Sequence, residues 1–230
     1  MNRDSNSYTF IYASALVVIV AAVLSVAAMG LKDFQDKNVR VAKMTDILKS
    51  VNIASTADDA QSKYDRYIKE TFIVDAEGEK VDAEVEPFDV DLTVEVAKAV
   101  SERLLPVYVC TLDDGSTKYI LPVRGKGLWG PVWGYIAVND DKNSIYGATF
   151  GHKGETPGLG AEIEKEDFQV QFQGKKIMKD GEVSFQVAKG GAKPGDDYAV
   201  DAISGGTITS KGVEAMLNEY LGAYKAFLKQ

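Results

Sequence analysis

The chain has 230 residues, of which 45% are hydrophobic and 26% charged, enough for a membrane anchor plus one sizeable domain or two small ones. A formal net charge of −8 argues against nucleic-acid binding, because a phosphate backbone needs a basic face. The single cysteine, Cys110, rules out an intrachain disulfide and any zinc or iron–sulfur centre built from cysteines alone.

No charged residue falls between Ser5 and Leu31. The apolar run from Phe10 to Leu31 is long enough, at ~1.5 Å per residue, to cross a hydrocarbon layer of roughly 30 Å as a helix. Tyr8 and Tyr12 suit the headgroup region at one end. A cleaved signal peptide is the alternative, with small residues at Ser25-Val26-Ala27-Ala28. The apolar run exceeds the usual h-region and the segment before it is barely basic, which favours an uncleaved span. Arg3 precedes the span, whereas Lys32, Lys37, Arg40 and Lys43 follow it. Taken alone, that bias would leave the domain in the cytoplasm, but charge counting is weakest when a long domain follows the span.

Beyond the span, Val41, Met44, Leu48 and Val51 share one helical face, so the membrane helix is expected to run on into a stalk. Ser55-Thr56 predicts the cap of a second helix over 57–69, with Tyr64, Tyr67 and Ile68 on its packed edge. Residues 76–91 are acidic and aperiodic, with a turn around Glu77-Gly78-Glu79. Strands follow at 107–112 and 118–123 around Asp113-Asp114-Gly115-Ser116, and at 133–138 and 145–150 around residues 139–143, giving two hairpins. Cys110 lies in the first of these strands and is expected to be a buried structural thiol. A helix over 160–172, a strand over 183–188 and a glycine-rich loop over 190–206 complete the middle of the chain. Thr209 or Ser210 is expected to cap a last helix running to Leu228. The sum is an α+β fold, an antiparallel sheet with flanking helices, preceded by one transmembrane helix.

Catalytic constellations are weak. His152 is the lone histidine, and there is no nucleophile elbow, Walker loop, dinucleotide fingerprint or metal-ligand spacing. No catalytic or metal-binding residue is assigned. Three glycine-rich segments remain: Gly125–Gly130, Gly151–Gly160 and Ser204-Gly205-Gly206-Thr207. Each by itself reads as a turn, since glycine permits positive φ and close backbone approach.

Together these segments resemble the covalent FMN-binding domain family. The match is closest to the C subunits of the sodium-translocating NADH:quinone reductases. The features fall in order along nearly the whole chain: Gly30-Leu31-Lys32-Asp33-Phe34-Gln35 at the end of the span, Gly127-Leu128-Trp129-Gly130, Glu155-Thr156-Pro157-Gly158-Leu159-Gly160, Lys189-Gly190-Gly191-Ala192, and Asp201-Ala202-Ile203-Ser204-Gly205-Gly206-Thr207. The resemblance implies that FMN is attached to Thr207 through a phosphoester. The family usually has alanine where this chain has Gly206, which removes a methyl and adds backbone freedom. Physically, a modifying enzyme needs a hydroxyl on an accessible, flexible segment, and Gly205-Gly206 supplies that freedom. The helix after Thr207 presents free N–H groups and its positive dipole end to the remaining phosphate charge, with Thr209 and Ser210 as further hydroxyl donors. The ring needs flat apolar contact, for which Trp129 is the stacking candidate, and polar edge contacts, for which Glu155, Thr156, Gly158 and Leu159 are expected. Lys189 is expected near the phosphate or the reduced ring, and His152 is a weaker candidate for the same role.

The resemblance therefore implies an electron-relay subunit, with no complete active site of its own, in a translocase coupling NADH oxidation by ubiquinone to sodium export. Its expected layout is a cytoplasmic N-terminus at 1–9, a transmembrane helix at 10–31, a helical stalk and membrane-proximal segment at 32–100, and the FMN-binding domain at 101–230. The implied partners are the other subunits, a flavin transferase and the membrane, with NADH and ubiquinone acting on the complex. The implied location is the bacterial inner membrane, single-pass, with the C-terminal domain periplasmic. The alternatives are the G subunit of a ferredoxin:NAD oxidoreductase complex, which shares anchor, fold and motif, and a cofactor-free membrane-tethered scaffold.

Overall fold

A computed structural model describes residues 6–230, so most of the expected N-terminal segment 1–9 lies outside the described residues. The chain divides after Lys43 into two compact units. Helix α1, Asn6–Ser50, runs through that division. In the first unit its side chains, including Phe10, Ile19, Leu24 and Met29, are exposed. Among the described residues this is the one helix long and apolar enough to cross a membrane.

In the second unit the end of α1 is buried through Met44, Ile47, Leu48 and Ser50, so the expected continuation into a packed stalk is present. The helix stops at Asn52, which takes φ 59°. Asn52 N–H bonds Lys49 O at 2.9 Å and Ile53 N–H bonds Leu48 O at 3.0 Å. This paired arrangement satisfies the last carbonyls with a left-handed residue just past the cap.

The expected helix over 57–69 is shorter. Helix α2 covers Ala60–Tyr67, and the chain turns directly into strand β1, Ile68–Val74. Pairing of β1 with strand β3, Leu105–Thr111, overrides the helical reading of its first residues. Between them lie strand β2, Lys80–Val81, and helix α3, Leu92–Glu95. Gly78, at φ 81°, makes the expected turn between β1 and β2. Residues placed by sequence in a membrane-proximal segment thus supply two strands of the main sheet.

Strands β4 (Thr117–Lys126), β5 (Pro131–Val138) and β6 (Ile145–His152) complete an antiparallel sheet in the order β2-β1-β3-β4-β5-β6. Both predicted hairpins are present, and a third joins β4 to β5 across Gly127–Gly130. Alternation along the strands gives the sheet two buried faces. Leu105, Val107, Leu121, Val123, Val132 and Ile136 point to the larger core. Tyr108, Cys110, Ile120, Tyr135 and Ala137 point to the other, where Ile47 and Val51 of the α1 end cover them. Burial pushes the Cys110 thiol up to about 11, consistent with an inert structural cysteine.

The predicted helix over 160–172 is interrupted. A 3-10 turn, Gly160–Glu164, is followed by helix α4, Glu166–Gln169, and a second 3-10 turn, Val170–Phe172. Lys165, extended at ψ 148°, breaks the run. Phe168 and Phe172 still reach the core and pack on Phe150. The strand expected over 183–188 is divided between two small sheets. Strands β7 (Met178–Lys179) and β8 (Glu182–Val183) form a tight hairpin, while β9 (Gln186–Ala188) pairs in parallel with β10 (Ala199–Asp201). Strand β10 lies inside the segment expected to be all loop.

Helix α5, Thr207–Ala223, covers the larger core with Val213, Met216, Leu217, Tyr220 and Leu221, and α6, Lys225–Leu228, closes the chain. Helix α5 begins at Thr207 with Gly206 as its cap residue, so Thr209 and Ser210 are not caps but buried first-turn residues. Two α5 side chains one turn apart fix β9: Glu214 Oε2 accepts from Val187 N–H at 2.7 Å, and Asn218 exchanges two bonds with the Phe185 backbone. The start of α5 is thereby registered against the loop that carries Lys189.

Candidate functional site

Thr207 sits at the first helical position of α5, half-exposed. The preceding turn is closed by Gly206 N–H bonding Ile203 O at 3.0 Å, with Gly205 at φ 74°. A side chain at Gly205 would be strained by that φ and would also meet Leu159 Cδ2 at 2.6 Å, so glycine is required there. Ser210 Oγ accepts from Ile203 N–H at 3.1 Å, fixing the turn against the helix.

Two clefts meet at Thr207. The first, about 390 Å³, is lined by Leu128 and Trp129 of the β4–β5 hairpin, Glu155, Thr156, Leu159 and Gly160 of the loop after β6, and Gly205 to Thr209. Its walls carry four large apolar side chains exposed to solvent: Leu128, Trp129 (69% exposed), Leu159 and Ile208. The second, about 450 Å³, is lined by Lys189, Gly190, Gly191, Asp201 to Gly205, and Thr207. It carries the Lys189 ammonium, the Asp201 carboxylate and the hydroxyls of Ser204 and Thr207 beside Ala202 and Ile203. Asp201 shapes it by accepting from Ala192 N–H at 2.7 Å, which holds the Lys189 loop beside β10.

Glu155 organises the first cleft. Its side chain is 4% exposed. Oε1 accepts from Trp129 N–H at 2.8 Å, and Oε2 accepts from the Thr209 hydroxyl, itself 1% exposed. Its backbone N–H donates to His152 Nδ1 at 3.0 Å, and the far side of that ring, Nε2, lies 3.7 Å from Glu164 Oε1. One carboxylate thus ties the tip of a hairpin, the loop after β6 and the start of α5. A Cβ at Gly127 would come within 2.6 Å of Oε1, and one at Gly160 within 2.5 Å of Oε2, so both glycines make room for it.

The structure brings Trp129, Glu155, Thr156 and Leu159 together with Gly205, Gly206 and Thr207, and places Ser204 and Lys189 on the other side of Thr207. Gly158 lines neither cleft; at φ 75°, with its N–H on Glu162 Oε1 at 2.9 Å, it shapes the loop from behind. The Thr209 hydroxyl, expected to face the phosphate, is engaged by Glu155 instead. His152 lines neither cleft and acts as an acceptor under the loop. Sequence reasoning did not single out Leu128 or Ile208 as lining residues. The available signal was an isoleucine directly after Thr207, on an otherwise polar helix start.

Around one accessible threonine the chain thus offers a cleft with exposed apolar walls and a second one that carries a lysine, an aspartate and two hydroxyls. The FMN-binding domain model matches residues 127–222, which hold both clefts. The C subunit of the Na(+)-translocating NADH-quinone reductase of Vibrio anguillarum is 34% identical over 96% of this chain and 92% of its own length. The crystal structure of the C subunit from Parabacteroides distasonis is 48% identical, covers 87% of this chain and 98% of that one, and superposes with a TM-score of 0.79. NqrC of Shewanella oneidensis is 26% identical, covering 83% and 96%, with a TM-score of 0.72. The chain belongs to the family of C subunits of the Na(+)-translocating NADH-quinone reductases.

Proposed function

We propose that this chain relays electrons through an FMN esterified to Thr207, within a membrane reductase that oxidises NADH, reduces quinone and exports sodium. The observation that carries the reading is the position of Thr207 between an apolar cleft and a polar one. Relatives named as C subunits of this reductase align over nearly the whole chain, which favours this assignment over the ferredoxin-linked complex and over a cofactor-free scaffold.

The residues fit the group. Leu128, Trp129, Leu159 and Ile208 would hold the ring in the apolar cleft. The phosphate would lie at Thr207, where the first-turn N–H groups of α5 lack intrahelical acceptors and Lys189 and Ser204 line the adjoining cleft. Bound FMN supplies a centre that takes up and releases electrons one at a time. Attachment joins Thr207 Oγ to the phosphorus of an activated flavin donor; the hydroxyl proton is lost and the donor's leaving group departs, under a flavin transferase. The ester keeps a cofactor in a shallow, open site that would retain it poorly by contacts alone. In this reading residues 10–31 span the inner membrane once, and residues 101–230 form an FMN-binding domain in the periplasm among the other subunits.

Full-length protein co-expressed with a flavin transferase is expected to give a flavin-fluorescent band on a denaturing gel, absent in Thr207→Ala. A dark wild-type band would sink the proposal. Protease added to spheroplasts is expected to digest the domain; protection would reverse the orientation.

A further inference from the structure

Buried carboxylates are costly unless they are paired. Glu155 is buried, both its oxygens act as acceptors, and both donors are uncharged: a backbone N–H and a hydroxyl. No ion pair reaches it among the described residues. Its position is fixed from several sides, by the His152 ring under its N–H and by the space that Gly127 and Gly160 leave around the carboxylate. The fold could have joined these three loops with a neutral amide. It holds instead a fixed negative charge beside the apolar cleft, while the lysine of the site lines the other cleft.

We propose that Glu155 sets the redox potential of the cofactor held in this cleft, its unpaired carboxylate disfavouring electron density added next to it. The inference rests on the flavin reading above. Glu155 itself is buried, so the field of its charge is damped less than that of a surface carboxylate; electrons added in the cleft beside it are less stable and the midpoint potential is lowered. Burial also keeps this effect from being screened by salt. Lys189, exposed in the other cleft, acts in the opposite sense and is screened.

The test is a spectroelectrochemical titration at pH 8 of the full-length flavinylated protein beside Glu155→Gln and Thr209→Val. Glutamine keeps the shape, accepts from Trp129 N–H and turns its amide toward the Thr209 oxygen. Its midpoint potential is expected to rise at both low and high salt. Thr209→Val loosens the same brace but keeps the charge, so its potential is expected to stay at or below that of the wild type. Two outcomes overturn the proposal: an unchanged or lowered potential in Glu155→Gln, or an equal rise in Thr209→Val. Should Glu155→Gln fail to fold, the wild-type protein carries the test. Its reduction-difference infrared spectrum, with isotope-labelled glutamate, is expected to show a perturbed ionised-carboxylate band, and the absence of such a band overturns the proposal. Intact mass of the same wild-type sample separates the two claims: no bound flavin would overturn the reading beneath the inference, whereas bound flavin with an unshifted potential overturns the inference alone.

Discussion

The two clefts that meet at Thr207 are of similar size but are built in different ways. The apolar one is made by side chains from a hairpin tip, a loop and a helix start, all braced by Glu155. The other is made by the loops around Lys189 and Ser204, with glycines at 190, 191 and 205 in left-handed conformations and Asp201 tying the Lys189 loop in place. The first is suited to a flat ring, since exposed aromatic and branched walls gain by being covered. The second presents a lysine and two hydroxyls, which suit an anionic group. Stability and ligand chemistry are therefore distributed unequally: the apolar cleft depends on one buried node, and the polar cleft on chain conformation.

Variants should separate these two modes of construction. Apart from loss of the acceptor hydroxyl, Gly160→Ala is expected to have the largest effect. Its methyl would enter the space of Glu155 Oε2 and the Thr209 side chain. Overpacking of this kind costs typically about 1–3 kcal/mol, so thermal denaturation should shift downward even without flavin. An unchanged Tm would mean the brace is not structural.

Asp46, which lines neither cleft, provides a reference. Burial raises the Asp46 carboxyl to about 6, with Glu164 adding repulsion and Lys49 and the Trp133 indole opposing it. A carboxyl raised in the folded state binds protons that the unfolded chain has already released. Stability from this group is therefore present at low pH and is lost as pH rises from about 4 through about 6. Asp46→Asn is expected to flatten that window and to gain on the order of 2 kcal/mol at pH 8. Denaturant curves at pH 4, 6 and 8 check this, and a variant with the wild-type slope would contradict it.

Smaller effects should distinguish the two clefts directly. Trp129→Ala removes an exposed wall and should change stability by less than about 0.5 kcal/mol. It should nevertheless increase access of a collisional quencher to the flavin. Lys189→Gln should leave quencher access unchanged and slow flavin incorporation. Equal quenching in the two variants would erase the distinction between ring side and phosphate side. Gly206→Ala should have the smallest effect. Its φ of −101° suits any residue, and a new Cβ would meet Ile203 Cγ2 at 3.0 Å and the Leu159 backbone at 3.2 Å, contacts that a shift of a few tenths of an ångström relieves. Flavin yield in this variant should match the wild type, and a large drop would show that the turn has no slack.

Much of the site was legible through the family resemblance that its short glycine-containing motifs carry, since each motif alone reads as a turn. Glu155, Thr156, Leu159, Gly205, Gly206 and Thr207 stood out as neighbours of one cofactor, and the structure places them around one cleft. Two of the three hairpins at the centre of the sheet followed from alternation and turn residues, whereas the β4–β5 pairing did not. Strand β1 did not, because Tyr67 and Ile68 continue a helical stripe until pairing with β3 takes over. Strand β10 was hidden in a glycine-rich stretch because three residues carry no period, and only pairing with β9 and the Asp201 contacts define it. The roles of Thr209 and His152 were misread for the same reason. Both are engaged by Glu155, whose partners lie 54 and three residues away and are set by the tertiary fold.

The electron-relay reading rests on the proposed attachment of FMN at Thr207. Its most direct test is the intact mass of the full-length protein co-expressed with a flavin transferase, beside Thr207→Ala. The wild-type mass is expected to be raised by one phosphoester-linked FMN, with the variant at the mass of the bare polypeptide. An unshifted wild-type mass, or an FMN adduct that survives in Thr207→Ala, would contradict it.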